Sequence, residues 1–137
     1  MPAKNPFSNK SLLVAVIADE STVTGFLLTG IGQRNKNGDQ NYLIVNKDTT
    51  DQVLQTEMAK LLSRDDIGII LIAQSLAERV RNQIVEHQED ETKLLPTVME
   101  IPSKDSPYDP TKDSMLVTAA TKLFGGEAGI EKLKQQD

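Results

Sequence analysis

LLVAVIADESTVTGFLLTGIG, residues Leu12 to Gly32, runs seven apolar residues into two adjacent acids and then into a helical pattern closed by glycines. An unbroken apolar run, unlike an alternating one, marks a strand covered on both faces, and such strands belong to parallel sheets. The residues after it, Ser21 to Leu28, read as a helix. Asp19, Ser21 or Thr22 supplies its cap, Glu20 suits the positive end of its dipole, and Gly30 stands where a helix stops.

The same alternation continues outward. A polar loop, GQRNKNGDQN (Gly32 to Asn41), leads to a second strand at Tyr42 to Val45. KDTTDQVLQTEMAKLLSR then sets Val53, Leu54, Met58, Leu61 and Leu62 at helical spacing behind a start at Thr50 or Asp51. A third apolar run, Ile67 to Ala73, is again expected to be buried on both sides, and SLAERVRNQIVEHQ after it places Leu76, Val80, Ile84 and Val85 on one helical face. Pro96 to Ile101 is short enough for an edge strand, beyond a solvated acidic loop, EHQEDETKLL. Strands alternating with helices predict an α/β fold. With right-handed crossovers it is a Rossmann-like or receiver-like, doubly wound four-stranded parallel sheet in the order 2-1-3-4, with an extended C-terminal helix.

At Pro102 the character changes, because PSKDSPYDPTKD concentrates prolines, turn-forming Asp and Ser, and a Tyr. Asp109 as N-cap and Pro110 at the first helical position predict a last helix over 110–124. Gly125 and Gly126 then interrupt the pattern, and EAGIEKLKQQD is expected to be a weakly helical or flexible tail. The organisation expected is a flexible N-terminal tail (1–10), an α/β domain (11–101), a proline-rich connector (102–109), a C-terminal helix (110–124) and a flexible tail (125–137).

The 137 residues suffice for one domain with its own core. A formal charge of -5 leaves no diffuse basic footprint, so nucleic acid is not an expected partner. The absence of cysteine removes disulfides, thiol nucleophiles and zinc-thiolate sites, and suits a reducing compartment. MPAKNPFSNK has no apolar signal region, and no run approaches the ~20 apolar residues of a membrane span. A soluble, cytoplasmic protein without direct membrane insertion is expected.

Chemical readings of the first turn fare poorly. A dinucleotide fingerprint needs glycines between strand and helix so that backbone N–H groups approach a pyrophosphate. Here the turn is ADEST, whose acids repel phosphate, and Gly30 and Gly32 lie at the wrong end of the helix. No GxxxxGK[ST] sequence occurs. An acidic pair after a first strand also begins the magnesium site of a receiver, but the acceptor Asp that should end the third strand is replaced by Ala73, Gln74 and Ser75. His87, among Glu86, Gln88, Glu89 and Asp90, reads as solvated, and without Cys or a second His there is no transition-metal constellation. Ser75 and Asp19 share only the C-terminal rim of the sheet, which is no hydrolytic triad. No catalytic, cofactor-binding or metal residues are expected.

The final helix carries the positive signal. Met115, Leu116, Ala119, Ala120, Leu123 and Phe124 recur at three- and four-residue steps and form one apolar stripe. It either covers the domain's own sheet or docks on a partner helix. Small residues permit close helix approach, and a short sheet already flanked by three helices has little surface left to cover, which favours the partner.

AVIADESTVTGFLLTGIG, GIILIAQSLAERVR and above all EIPSKDSPYDPTKDSML resemble, in matching order from about Leu12 to Phe124, the F subunits of eukaryotic vacuolar-type proton ATPases. The resemblance implies a non-catalytic central-stalk component of the rotor, which couples ATP hydrolysis in the surrounding ring of A and B subunits to proton transport. It also implies that the last helix pairs with the coiled coil of the D subunit, so that Met115, Leu116, Ala119, Leu123 and Phe124 become partner-binding residues. Through the assembled complex the chain would meet the membrane sector, at the cytosolic face of vacuolar or endosomal membranes. The alternatives are a stand-alone receiver-like signalling adaptor without a phosphoacceptor and, third, an enzyme at the sheet's C-terminal rim.

Overall fold

Strand β1, Leu13–Ala18, forms the centre of the sheet, and Ala15 to Ala18 are wholly buried. In the computed structural model, which describes residues 11–135, β1 pairs in parallel with β2 (Tyr42–Ile44) and β3 (Ile67–Ala73). β3 pairs with β4 (Thr97–Ile101), so the order is β2-β1-β3-β4, as the alternating pattern predicts. The tail expected at 1–10, and the end of the one expected at 125–137, lie outside the described residues.

The helices follow from their caps and apolar spacing. α1 (Glu20–Leu28) starts at Asp19, whose side chain accepts from the Thr22 N–H. α2 (Asp51–Ser63) starts at Thr50 in the same way, through the Val53 N–H. The next helical stretch is not continuous. α3 (Gln74–Ala77) passes through a 3₁₀ turn (Glu78–Val80) into α4 (Arg81–Glu89). Two helices close the chain, α5 (Ser114–Phe124) and α6 (Gly126–Lys134).

Alternation along the strands divides the core in two. Ala15, Ile17, Ile70, Ile72 and Val98 point to the face that carries α2 and α4, where Leu54, Met58, Leu61, Val80 and Ile84 meet them in one continuous cluster. Each such Leu, Ile or Val contributes about 1.5–3 kcal/mol on full burial, so this face holds the domain together. Val16, Ala18 and Ala73 point the other way and meet α1 through Val23, with Phe26 and Leu27 beside it.

That second face is incompletely covered, which corrects the expectation for the third apolar run. α1 packs over β1 and β2. A helix about 10 Å across spans roughly two strands set ~4.8 Å apart, so the β3–β4 half is left without a helix. Ile69 and Leu71 are accordingly only half-buried, and Met99, opposite Leu71, is 44% exposed. A second correction concerns His87. It sits in the last turn of α4, one turn beyond Ile84 on the core-facing side, and it is buried with Nε2 2.7 Å from the Pro96 carbonyl oxygen.

Candidate partner-binding surface

At the C-terminal rim of the sheet, a cleft of roughly 770 Å³ is lined by Asp19, Ser21, Ser75, Arg79, Ser103 and Lys104 among others. This is where a doubly wound domain binds ligands. Several of the polar groups here are already bonded, as Asp19, Ser75, Ser103 and Arg79 show. Asp19 accepts from the Ser21 hydroxyl at 2.5 Å, the Thr22 hydroxyl at 2.6 Å and the Thr22 N–H at 3.3 Å. Those bonds, the Ser21 hydroxyl first, hold its carboxyl down at about 2 against a smaller opposing effect of burial. Ser103 Oγ accepts from the Ser75 N–H at 3.0 Å and closes the ends of β3 and β4 together. Arg79 is turned away to Asp51, at 2.5 Å, and to the Thr49 carbonyl. Among the described residues no three His, Asp or Glu are grouped so as to hold a metal ion.

Beyond β4 the chain is fastened at two points that sequence reasoning missed. Gln74, nearly buried, forms a two-way amide bridge with the Asp109 backbone: its Nε2 donates to the Asp109 carbonyl at 2.8 Å and its Oε1 accepts the Asp109 N–H at 2.7 Å. Glu100, whose side chain is 2% exposed, receives the Arg81 guanidinium in a fork at 2.7 and 2.9 Å and also accepts the Ser114 N–H at 3.2 Å. Hydrogen bonding to Glu100 is the first cause of Arg81 being held above its ordinary pKa. Asp113 accepts from the Met115 and Leu116 N–H groups and takes the Tyr108 hydroxyl, which burial and then that bond push well above its ordinary value.

These contacts correct the expected start of the last helix. Asp109 caps only a turn, accepting from the Thr111 N–H and hydroxyl, and the helix begins at Ser114 with Asp113 as its cap. A signal was present in the KDSM run, where Asp113 precedes the apolar stripe as directly as Asp109 precedes a proline. The end is different too. Gly125, at φ +77, breaks the helix, and the segment expected to be a weakly helical or flexible tail forms α6 as far as Lys134, folded back on α5. Gly129 lies so close to α5 that a Cβ there would stand 2.5 Å from the Ala120 carbonyl oxygen.

The predicted stripe is divided by that packing. Ala120 is 7% exposed beneath α6, and Phe124, 50% exposed, has the Lys132 ammonium 4.3 Å from its ring centroid. Ala119, Met115, Leu116 and Leu123 are exposed, the last at 76%. At 100° per residue, Met115, Leu116, Ala119 and Leu123 fall within about a third of the helix circumference. They lie on one open apolar strip that the chain's own sheet does not use.

Residues 14–118 match the family described as ATP synthase (F/14-kDa) subunit. A human V-type proton ATPase F subunit is 52% identical over 109 residues, which cover 80% of this chain and 88% of the relative. The chain belongs to the family of V-type proton ATPase F subunits. Within that family, a Caenorhabditis elegans protein, described as a probable member, is 49% identical over 118 residues, with 86% of this chain and 93% of the relative covered. The Dictyostelium discoideum member is 44% identical over 119 residues, covering 87% and 95%. The matched stretch of the F-subunit family contains all of the sheet but Leu13, the connector and the start of α5, whereas α6 lies beyond it. Among the described residues no helix is long and apolar enough to cross a membrane.

Proposed function

We propose that the chain is the non-catalytic F subunit of a V-type proton ATPase, and that the open strip of α5 docks along the coiled coil of the D subunit in the central stalk. The observation that carries this reading is the exposure of Met115, Leu116, Ala119 and Leu123 on one helix that starts from a buried, fully bonded cap. A coiled coil offers a long apolar seam, and helix-in-groove association reads anchors at i, i+3, i+4 and i+7 spacing, which Leu116, Ala119 and Leu123 provide at i, i+3 and i+7. In this role the protein transmits rotation between the ATP-hydrolysing ring of A and B subunits and the membrane sector, at the cytosolic face of vacuolar or endosomal membranes. The engaged polar groups of the rim cleft support the absence of catalysis, since Asp19 is already committed to a helix cap.

The test is capture under native conditions with the full chain as bait. Recovery of the D subunit together with the A and B subunits is the expected result. Recovery of a two-component signalling partner without them, or failure of the purified D subunit to bind, would overturn it.

A further inference from the structure

The geometry points to Arg81 and Glu100 as the positioning pair that fixes the direction in which α5 leaves the α/β domain. Its purpose rests on the partner-binding reading, but its geometry does not. Glu100 lies on β4, Arg81 opens α4, and Ser114 opens α5, so one buried carboxylate joins three elements. The two guanidinium bonds fix the carboxylate plane, as planar fork-to-fork pairing does. The Ser114 N–H, a helix-terminal donor with no partner inside its own helix, then aligns on the oxygen that plane presents. Asp113, itself fixed by the Tyr108 hydroxyl, accepts the following donors, Met115 N–H and Leu116 N–H, so the first turn of α5 has no free rotation about its base. Past that turn most residues of α5 are exposed, and the helix approaches the domain chiefly at α4, the element that Arg81 opens. Its direction is therefore set at the joint. The Gln74 bridge anchors the connector at Asp109, upstream of Ser114, and does not substitute for it.

Because the sequence has no cysteine, spin labels can be placed at will. Labels at Gln52→Cys on α2 and Thr118→Cys on α5, both exposed and both off the open strip, report the angle of α5 to the domain by pulsed dipolar spectroscopy. In the otherwise unaltered chain the distance distribution should be single and narrow; a broad one overturns the proposal. Glu100→Gln should broaden it, and so should the joint change Arg81→Met with Glu100→Met, which replaces the buried ion pair by apolar side chains that such sites commonly tolerate. Arg81→Lys keeps the charge and gives up only the fork, and it should fall between the two; it decides the matter if the others do not fold. A distribution as narrow and as centred as the parent's in a folded variant overturns the assignment. These distances are read without any partner. Weaker capture of the purified D subunit by the broadened variants, with unchanged domain melting, would join the device to the proposed function, whereas loss of capture alone would bear on that function and not on the joint.

Discussion

Asp19 takes three donors within its own helical turn, and each is local, so its role follows from the three residues after it. Asp66 is held locally by Arg64 at 2.8 and 2.9 Å and from a distant part of the chain by the Asn35 amide at 3.0 Å, which pins the polar loop to the start of β3. Both carboxyls stand at about 2 instead of the ordinary 3.8, Asp66 chiefly through Arg64. Between those values the unfolded chain binds protons that the folded chain does not. Both groups therefore contribute stability that is complete above pH about 4 and is lost as pH falls toward 2. In acid melts, Asp19→Asn and Asp66→Asn should each flatten the loss of stability across that window. At neutral pH, Asp19→Ala should cost about 1 kcal/mol, the usual value of a helix cap.

At the scale of the element, what the sequence made legible depended on where the deciding contacts lie. The strands were readable because runs of Val and Ile carry their own signal, and α1 and α2 because each cap directly precedes its helix and bonds a donor only three residues on. The start of α5 was not, since Asp109 with Pro110 and Asp113 with Ser114 are both good starts. The choice between them is made by Gln74 and Glu100, 35 and 14 residues away. α6 was hidden for another reason. Gly126 and Gly129 are poor helix formers, each costing about 1 kcal/mol against alanine, and the element exists through packing on α5, which Gly129 meets at Ala120. Of two adjacent alanines that read as one stripe, Ala120 serves this intramolecular seam and Ala119 does not. Gly129→Leu should part the two helices. Overpacking of this kind costs about 1–3 kcal/mol, enough to remove hydrogen-exchange protection from α6 while the sheet amides keep theirs.

For the whole molecule, the division between an α/β part with its own buried core and a largely exposed helix predicts separable failures. Leu123 is largely solvated in the free chain and Leu116 partly so, and replacing both by Asp should therefore move thermal melting little. In a complex with the D subunit the same charges lose their water, at several kcal/mol per ion, and assembly should fail. A double variant that melts far below the parent would instead show that these leucines support the domain itself. Calorimetry with Mg-ATP on the isolated chain should be flat, because the first strand ends in a capped acidic turn and no glycine cradle faces the rim. Saturable micromolar binding lost on changing Asp19 is the contrary result. The turn at Gly125 bears on how far the protein can extend. With α6 doubling back, the distance spanned outward is set by the 11 residues of α5 alone, about 16 Å at 1.5 Å per residue. Four residues inserted into α5 would lengthen it by about 6 Å and swing its contact side by roughly 40°. The length of this arm is thus fixed by residues 114–124 and by the glycine that ends them.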